Sequence, residues 1–242
     1  MKSKRMLALL AAGAVLAATP AARAQQGEET PARLFVGGSL IYGNPVGPFG
    51  DLVDDGFGVN GHAIYRVDDG GWLGLRADVG FLTYGRESRE VCFSTTVGCR
   101  VTLGLTTSNN IVFAGIGPQL VAPTGMILPY LTGSIGLAYF ATQSSLRGSS
   151  DSDDFASDTN FDDWTFAWTG GGGLYIPLRR GPRPISLDFG ARYHGNGRAA
   201  FLREGDIIDN PDGSITVRPN RTEANLWSFR LGISIGVGPS GM

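Results

Sequence analysis

From Trp72 to Tyr84 the chain alternates strictly: Leu73, Leu75, Ala77, Val79 and Phe81 share one parity, and Gly74, Arg76, Asp78 and Gly80 the other. Period two is the signature of an extended strand whose two faces meet different surroundings. The same division recurs near the C-terminus, where Trp227, Phe229, Leu231, Ile233, Ile235 and Val237 interleave with Ser228, Arg230, Gly232, Ser234 and Gly236. It recurs in Ile185 to His194, with Asp188 and Arg192 on the polar side. Leu131 to Tyr139 and Trp164 to Leu174 follow the same rule. Weaker versions occupy Leu34 to Tyr42, Phe57 to Val67, and a segment ending near Val121.

In that last segment Val101, Leu103 and Leu105 set one parity, whereas Val112, Ala114, Ile116 and Leu120 set the other. A bulge near Ser108 to Asn110 absorbs the slip, and a turn there would instead make an extra strand; the bulge is the expected solution. The pattern therefore predicts eight strands. Their connections alternate between short turns (Asp68-Asp69-Gly70-Gly71, Ala122-Pro123-Thr124-Gly125, Arg179 to Pro184) and long polar loops (Gly43 to Gly56, Arg86 to Arg100, Gln143 to Asp163, Gly195 to Ala224). Antiparallel strands joined this way place every long loop at one end and both termini at the other.

Alternation alone does not say which face points inward. A soluble ligand-binding barrel would turn Leu75, Val79 and Leu231 inward, and a membrane barrel would turn them to lipid. Three features favour the membrane. Apolar faces run for about five to six alternate positions, close to the ~9–11 residues that a tilted membrane strand needs. Tyr42, Tyr65, Trp72, Tyr84, Tyr139, Trp164, Tyr175, Tyr193 and Trp227 crowd toward strand ends, where interfacial girdles belong. Long loops and short turns are strictly segregated. No window of 18 apolar residues offers a membrane helix instead.

On these patterns, and on the segments Trp72-Leu-Gly-Leu-Arg-Ala-Asp-Val-Gly-Phe81, Gly115-Ile-Gly117-Pro118 and Pro129-Tyr-Leu-Thr-Gly133, the chain resembles the small outer-membrane β-barrel family of Gram-negative bacteria, which includes the transmembrane domain of outer-membrane protein A. The resemblance covers roughly residues 34 to 238. It implies an all-β, eight-stranded antiparallel up-and-down barrel in the bacterial outer membrane, with long loops outside the cell and termini in the periplasm. Outer-membrane lipid and the outer-membrane insertion machinery are the implied partners. The chain departs from the family in ending Gly238-Pro-Ser-Gly-Met242 rather than on an aromatic residue.

Composition adds the compartment. Residues 1–24 carry Lys2, Lys4 and Arg5, an apolar stretch from Met6 to Ala18, and Ala22-Arg23-Ala24, the three parts of a secretory signal peptide. The expected organisation is then a short periplasmic segment at 25–33, the barrel at 34–238 and a tail at 239–242. Without the signal, 16 basic residues face 22 acidic ones, a balance that argues against nucleic acid. Export makes a disulfide between Cys92 and Cys99 the expectation. Glycine numbers 37 in 242, roughly twice the usual ~7%, with no collagen period.

No motif calls for a cofactor, a metal or an enzyme. Gly56-Phe-Gly58-Val-Asn-Gly61 matches the dinucleotide fingerprint by letter but precedes a strand rather than a helix, and Gly232-Ile-Ser234-Ile-Gly236 lies on a strand rather than at a nucleophile elbow. His62 and His194, the two histidines, fall on polar faces as lumen or rim residues. Asp151, Asp153, Asp154, Asp158, Asp162 and Asp163 read as a solvated acidic loop, lacking calcium-loop spacing. Asp209-Asn-Pro-Asp-Gly213 between Ile207-Ile208 and Ile215-Thr-Val217 reads as a small hairpin on the last loop, a surface for a partner that nothing identifies. The informative set is Arg66, Arg76, Asp78, Asp188, Arg192 and Arg230, expected to form a polar network filling the lumen, with Asn60 and Gln119 beside it and a loop acid such as Glu204 offsetting the arginine excess. The reading is a non-enzymatic barrel with a structural or surface-interaction role. A small-solute or ion channel, a lipid-modifying barrel enzyme and a soluble ligand-binding barrel are its competitors.

Overall fold

The structure is a computed structural model that describes residues 32–92, 102–148, 154–202, 206–209 and 215–237. Among the described residues there are twelve strands: β1 (Leu34–Pro45), β2 (Gly56–Arg66), β3 (Leu73–Cys92), β4 (Thr102–Val121), β5 (Leu128–Gly148), β6 (Asp154–Arg179), β7 (Ile185–Asn196), β8 (Arg198–Phe201), β9 (Ile207–Asp209), β10 (Ile215–Val217), β11 (Asn220–Glu223) and β12 (Leu226–Val237). Eight of them, β1 to β7 and β12, close into an antiparallel barrel, and the seam between β1 and β12 pairs Leu34 with Val237 through Pro45 with Leu226. The remaining four pair as two small ribbons, β9 with β10 and β8 with β11, in the long connection before β12.

The period-two pattern sorts side chains by destination. Leu40, Val59, Val79, Ile116, Leu131, Ile135, Phe166, Phe189, Leu231 and Ile233 stand exposed around the whole circumference, while Arg76, Asp78, Asp188, Arg192 and Arg230 are buried inside. A continuous exposed apolar band of this extent is not tolerated in water, where single patches rarely exceed a few hundred Å². With apolar side chains outside and charges inside, the wall is built for lipid. The soluble alternative fails on the same fact, since Leu75, Val79 and Leu231 point outward, and the hollow that Leu231 borders is an open groove on the outer wall rather than an interior cavity.

Rings mark the loop end of that band. Tyr42 packs on Phe57 and Phe229, Tyr139 on Trp164, and Tyr193 on both Trp168 and Trp227, with centroids 4.4–6.2 Å apart. Tyr65 and Trp72 stand exposed at the turn end. Tyr84 and Tyr175 do not join the girdle. Their even and odd positions on β3 and β6 are the inward parities, and both are buried in the interior.

Two further expectations change. β4 has no bulge near Ser108: it stays in one register with β5 from Leu103 to Val121. The extra residue sits across the ladder in β3, where the pairing slips between Thr83 and Gly85, leaving Tyr84 as the added position. The parity of β4 reverses because the strand leaves the apolar band near Asn110, after which no lipid requires an apolar outer face. The described parts of the long polar segments 86–100 and 143–163, namely 86–92, 143–148 and 154–163, are likewise strand. β3 to β6 run 20 to 26 residues and continue as a four-stranded sheet well beyond the band, so the acidic positions 158, 162 and 163 lie on a β6 edge rather than in a loop.

Candidate functional site: the barrel interior

The interior is built from inward positions of all eight barrel strands and is layered along its axis. Nearest the turn end, Arg76 on β3 donates from Nη1 to Gln119 Oε1 at 3.1 Å and to the Tyr175 hydroxyl at 3.0 Å, while Gln119 Nε2 donates to the same hydroxyl at 3.2 Å. Arg76 also turns back on its own strand. Its Nε donates to both oxygens of Asp78, at 3.1 and 3.0 Å, and its Nη2 to Oδ1 at 3.0 Å. Residues two apart share a face of a strand, which is what lets this pair form.

One layer further, Arg192 Nη1 on β7 reaches Asp78 Oδ2 at 2.9 Å, and Arg230 Nη1 on β12 lies 3.8 Å from Oδ1. The second carboxylate, Asp188, accepts from the Tyr130 hydroxyl at 2.6 Å, and that hydroxyl accepts from Arg230 Nη2 at 2.6 Å. Three arginines thus share two carboxylates, and the side chains of all five are at least 96% buried. Tyr130, Tyr175 and Gln119 supply the neutral partners that a buried charge cluster of this kind requires. Polarity of residue type alone did not single out the two tyrosines. Their inward parity on β5 and β6 was the available signal.

Arg66 does not join the network. It ends β2, one layer closer to the turn end, and its guanidinium lies over the Phe35 ring at 4.3 Å. Removing it leaves the cluster with a single arginine in excess instead of two. Glu204 and Cys99 lie outside the described residues, as does the side chain of Cys92, and so does the signal segment at 1–24.

The histidines sit at different depths, each beside a serine of β12: His194 lies toward the loop end, and His62, level with Asp78 on the neighbouring strand, lies nearer the turn end. His194 Nε2 is 2.8 Å from Ser228 Oγ, and His62 Nε2 is 3.4 Å from Ser234 Oγ. The His194 ring also meets Phe113 edge-on at 5.1 Å. Neither imidazole is hydrogen-bonded to a carboxylate among the described residues, so no acid orients a base toward either hydroxyl. Ser228 was recoverable from the polar parity of the last strand. Among the described residues no cluster of His, Cys, Asp or Glu is placed to hold a metal ion.

An apolar layer covers the loop end. Phe49, fully buried at 0% exposure, comes from the β1–β2 loop and packs against Tyr84, Phe140 and Phe201, with centroids at 5.5, 6.1 and 4.9 Å. Leu52 N and Val53 N donate back to the Phe49 carbonyl, and Gly47 takes a positive φ of 63°, so a tight turn presents the ring downward. Ala199, Leu202 and Ala224, all at 0%, complete the lid from the last long connection. Nothing in a Pro/Gly-rich loop sequence had marked Phe49 for burial.

A family described as outer membrane protein beta-barrel domain matches residues 7–217. Among curated proteins, no sequence matches the chain significantly. Solved structures similar to it include Neisserial surface protein A, with 11% identity over 85% of this chain and 98% of that one at a TM-score of 0.44. The attachment invasion locus protein of Yersinia pestis has 12% identity over 85% and 99% at 0.45. The outer membrane protein OprG from Pseudomonas aeruginosa has 12% over 85% and 95% at 0.42.

Proposed function

Because the chain belongs to the outer membrane protein β-barrel domain family, and so resides in the bacterial outer membrane, we propose that it is a non-enzymatic surface protein whose lumen is closed and whose long connections act outside the cell. The observation that carries this reading is the filled cross-section. Arg192 and Asp78 join opposite walls, and Phe49 lies over them with Tyr84, Phe140 and Phe201. Eight strands leave an interior just wide enough for side chains to occupy. A hydrated ion would have to separate a buried charge pair and then displace an aromatic lid.

Effort in the fold is spent on the loop end instead. β3 to β5 carry roughly ten residues each, and β6 roughly sixteen, beyond the ~9–11 that cross a membrane, and sheet projecting that far is a platform for contact. The histidine–serine pairs favour a packing role over hydrolysis, since both are buried and neither imidazole is hydrogen-bonded to an orienting carboxylate among the described residues.

Planar-bilayer recording tests the closed lumen. The wild-type protein is expected to show no unit conductance, and a Phe49→Ala, Asp78→Asn double variant to flicker open. Stable channels from the wild type would favour the channel reading. Protease added to intact cells tests orientation, with cleavage expected in the connections at 46–55 and 197–225 and not in the turn at 122–127.

A further inference from the structure

Below the Arg76 layer the interior opens toward the turn end as a funnel. Its mouth has a volume of about 220 Å³, framed by Arg66, Arg179 and Arg180 with Phe35, Leu128 and Pro184. It narrows to a cavity of about 30 Å³ between Arg66, Gln119, Tyr175, Ser186 and Ser234, where the Arg76 layer stops it. The described residues of this end carry Arg33, Arg66, Arg179, Arg180 and Arg183 against Asp68 and Asp69. Both acids are engaged elsewhere. Asp69 is paired with Arg33, and the Asp68 carboxylate accepts the N–H groups of Trp72 and Leu73 at 3.0 and 2.8 Å.

Asp68 acts on Arg66 only at longer range, so none of the mouth arginines forms a direct ion pair among the described residues, yet they are held in place. Arg66 lies on the Phe35 ring. Arg179 donates from Nε and Nη2 to the Arg183 carbonyl at 2.9 and 2.7 Å, and Arg180 donates from Nη2 to the Gly125 carbonyl at 2.6 Å. Carbonyls fix the Arg179 and Arg180 guanidinium groups, and an aromatic ring fixes that of Arg66, without neutralising their charge.

We propose that this mouth is a binding site for a phosphate group. Fixed guanidinium forks match the tetrahedral oxygens of phosphate and bond to them in pairs. The volume is below the ~300–1,000 Å³ of drug-sized pockets and suits a small ester or headgroup. Apolar Phe35, Leu128 and Pro184 give a glycerol or short acyl portion a surface to lie on. Two sources of the group are available at this end, a phospholipid of the adjoining leaflet and a soluble phosphate ester. Assigning the leaflet as the periplasmic one rests on the orientation proposed above.

The test is titration of the full chain, folded in detergent and verified by gel shift, with inorganic phosphate and glycerol phosphate, followed by calorimetry. Saturable binding is expected, weakened roughly tenfold by Arg66→Gln or Arg180→Gln, the loss of one charge-assisted hydrogen bond. The exposed loop-end variant Arg198→Gln should leave it unchanged. Native mass spectrometry from nanodiscs of phosphatidylcholine with phosphatidylglycerol separates the sources. A retained phosphatidylglycerol adduct that disappears in Arg66→Gln assigns the lipid, and binding of the soluble phosphates alone assigns the solute. No saturable binding of either kind, or an equal loss in Arg198→Gln, overturns the proposal. A chain that conducts ions but still binds phosphate through Arg66 would sink the closed-lumen reading and leave this site standing.

Discussion

Asp78 and Arg192 face each other from β3 and β7, four strands apart in either direction around the barrel, and their 2.9 Å ion pair spans the lumen. Asp78 also holds Arg76, so it is the carboxylate on which two cations depend directly. Asp78→Ala should destabilise the barrel by about 3–5 kcal/mol, the cost of stranding buried charge. Adding Arg192→Met should recover part of that loss, which a double-mutant cycle in urea would register. An unchanged urea midpoint for Asp78→Ala would refute the network's structural role.

One residue along, the environment reverses. Val79 is 56% exposed on the outer wall, within the apolar stretch of β3 from Leu73 to Phe81. Val79→Arg should cost about 2–4 kcal/mol near the midplane. Refolding into bilayers with wild-type stability would mean that this wall does not face lipid.

Glycines divide in the same manner. A Cβ on inward Gly58, Gly117 or Gly136 would come within 1.9–2.0 Å of a neighbouring strand's carbonyl oxygen. Outward Gly38 and Gly133 meet nothing closer than 3.8 and 3.6 Å. Gly136→Ala should therefore cost about 1–3 kcal/mol through backbone displacement. Gly38→Ala should be neutral or stabilise by about 0.4–1 kcal/mol by restricting the unfolded chain. Thermal melts of the two variants that coincide would contradict the distinction.

Two exposed carboxylates tie connections to acidity. The Tyr42 hydroxyl, and then the Asn44 amide, hold Asp55 below its ordinary 3.8. The Leu73 N–H, and then that of Trp72, hold Asp68 below the same value. A depressed folded value stabilises above the unfolded one, and the contribution fades as pH falls through the folded one. Hydrogen exchange in 46–55 and 67–72 should rise below about pH 3.8 while the barrel strands stay protected. Asp55→Asn and Asp68→Asn should each abolish the step in their own segment.

What could be read in the chain was set by how strongly each surrounding constrains residue type. Lipid on one side and a charge cluster on the other fix every alternate residue of Leu73 to Phe81, so the barrel is legible and the pattern puts Arg76, Asp78, Asp188, Arg192 and Arg230 on inward faces. Where lipid ends, that constraint ends too, and the extensions of β3 to β6 looked like loop because their faces are both wet. Arg66 was misplaced for a related reason. Parity says which wall a side chain leaves, not its depth along the axis, and at the last position of β2 the inward direction leads into the mouth. Phe49 and the partnership of Tyr130 with Asp188 depend on contacts between distant segments, which no local pattern encodes.

The β1–β12 seam also sets an order of assembly. Every other pairing in the barrel joins strands consecutive among the eight, whereas the seam brings Leu34 to Val237, nearly the whole barrel apart in sequence. Loop-closure entropy falls hardest on that contact if it is attempted first, and lightly once the intervening strands have already curled into register. Until then β1 and β12 each present an open edge of twelve residues to any other chain. Closure is thus the step at which this molecule stops being a template for aggregation and becomes a single ring.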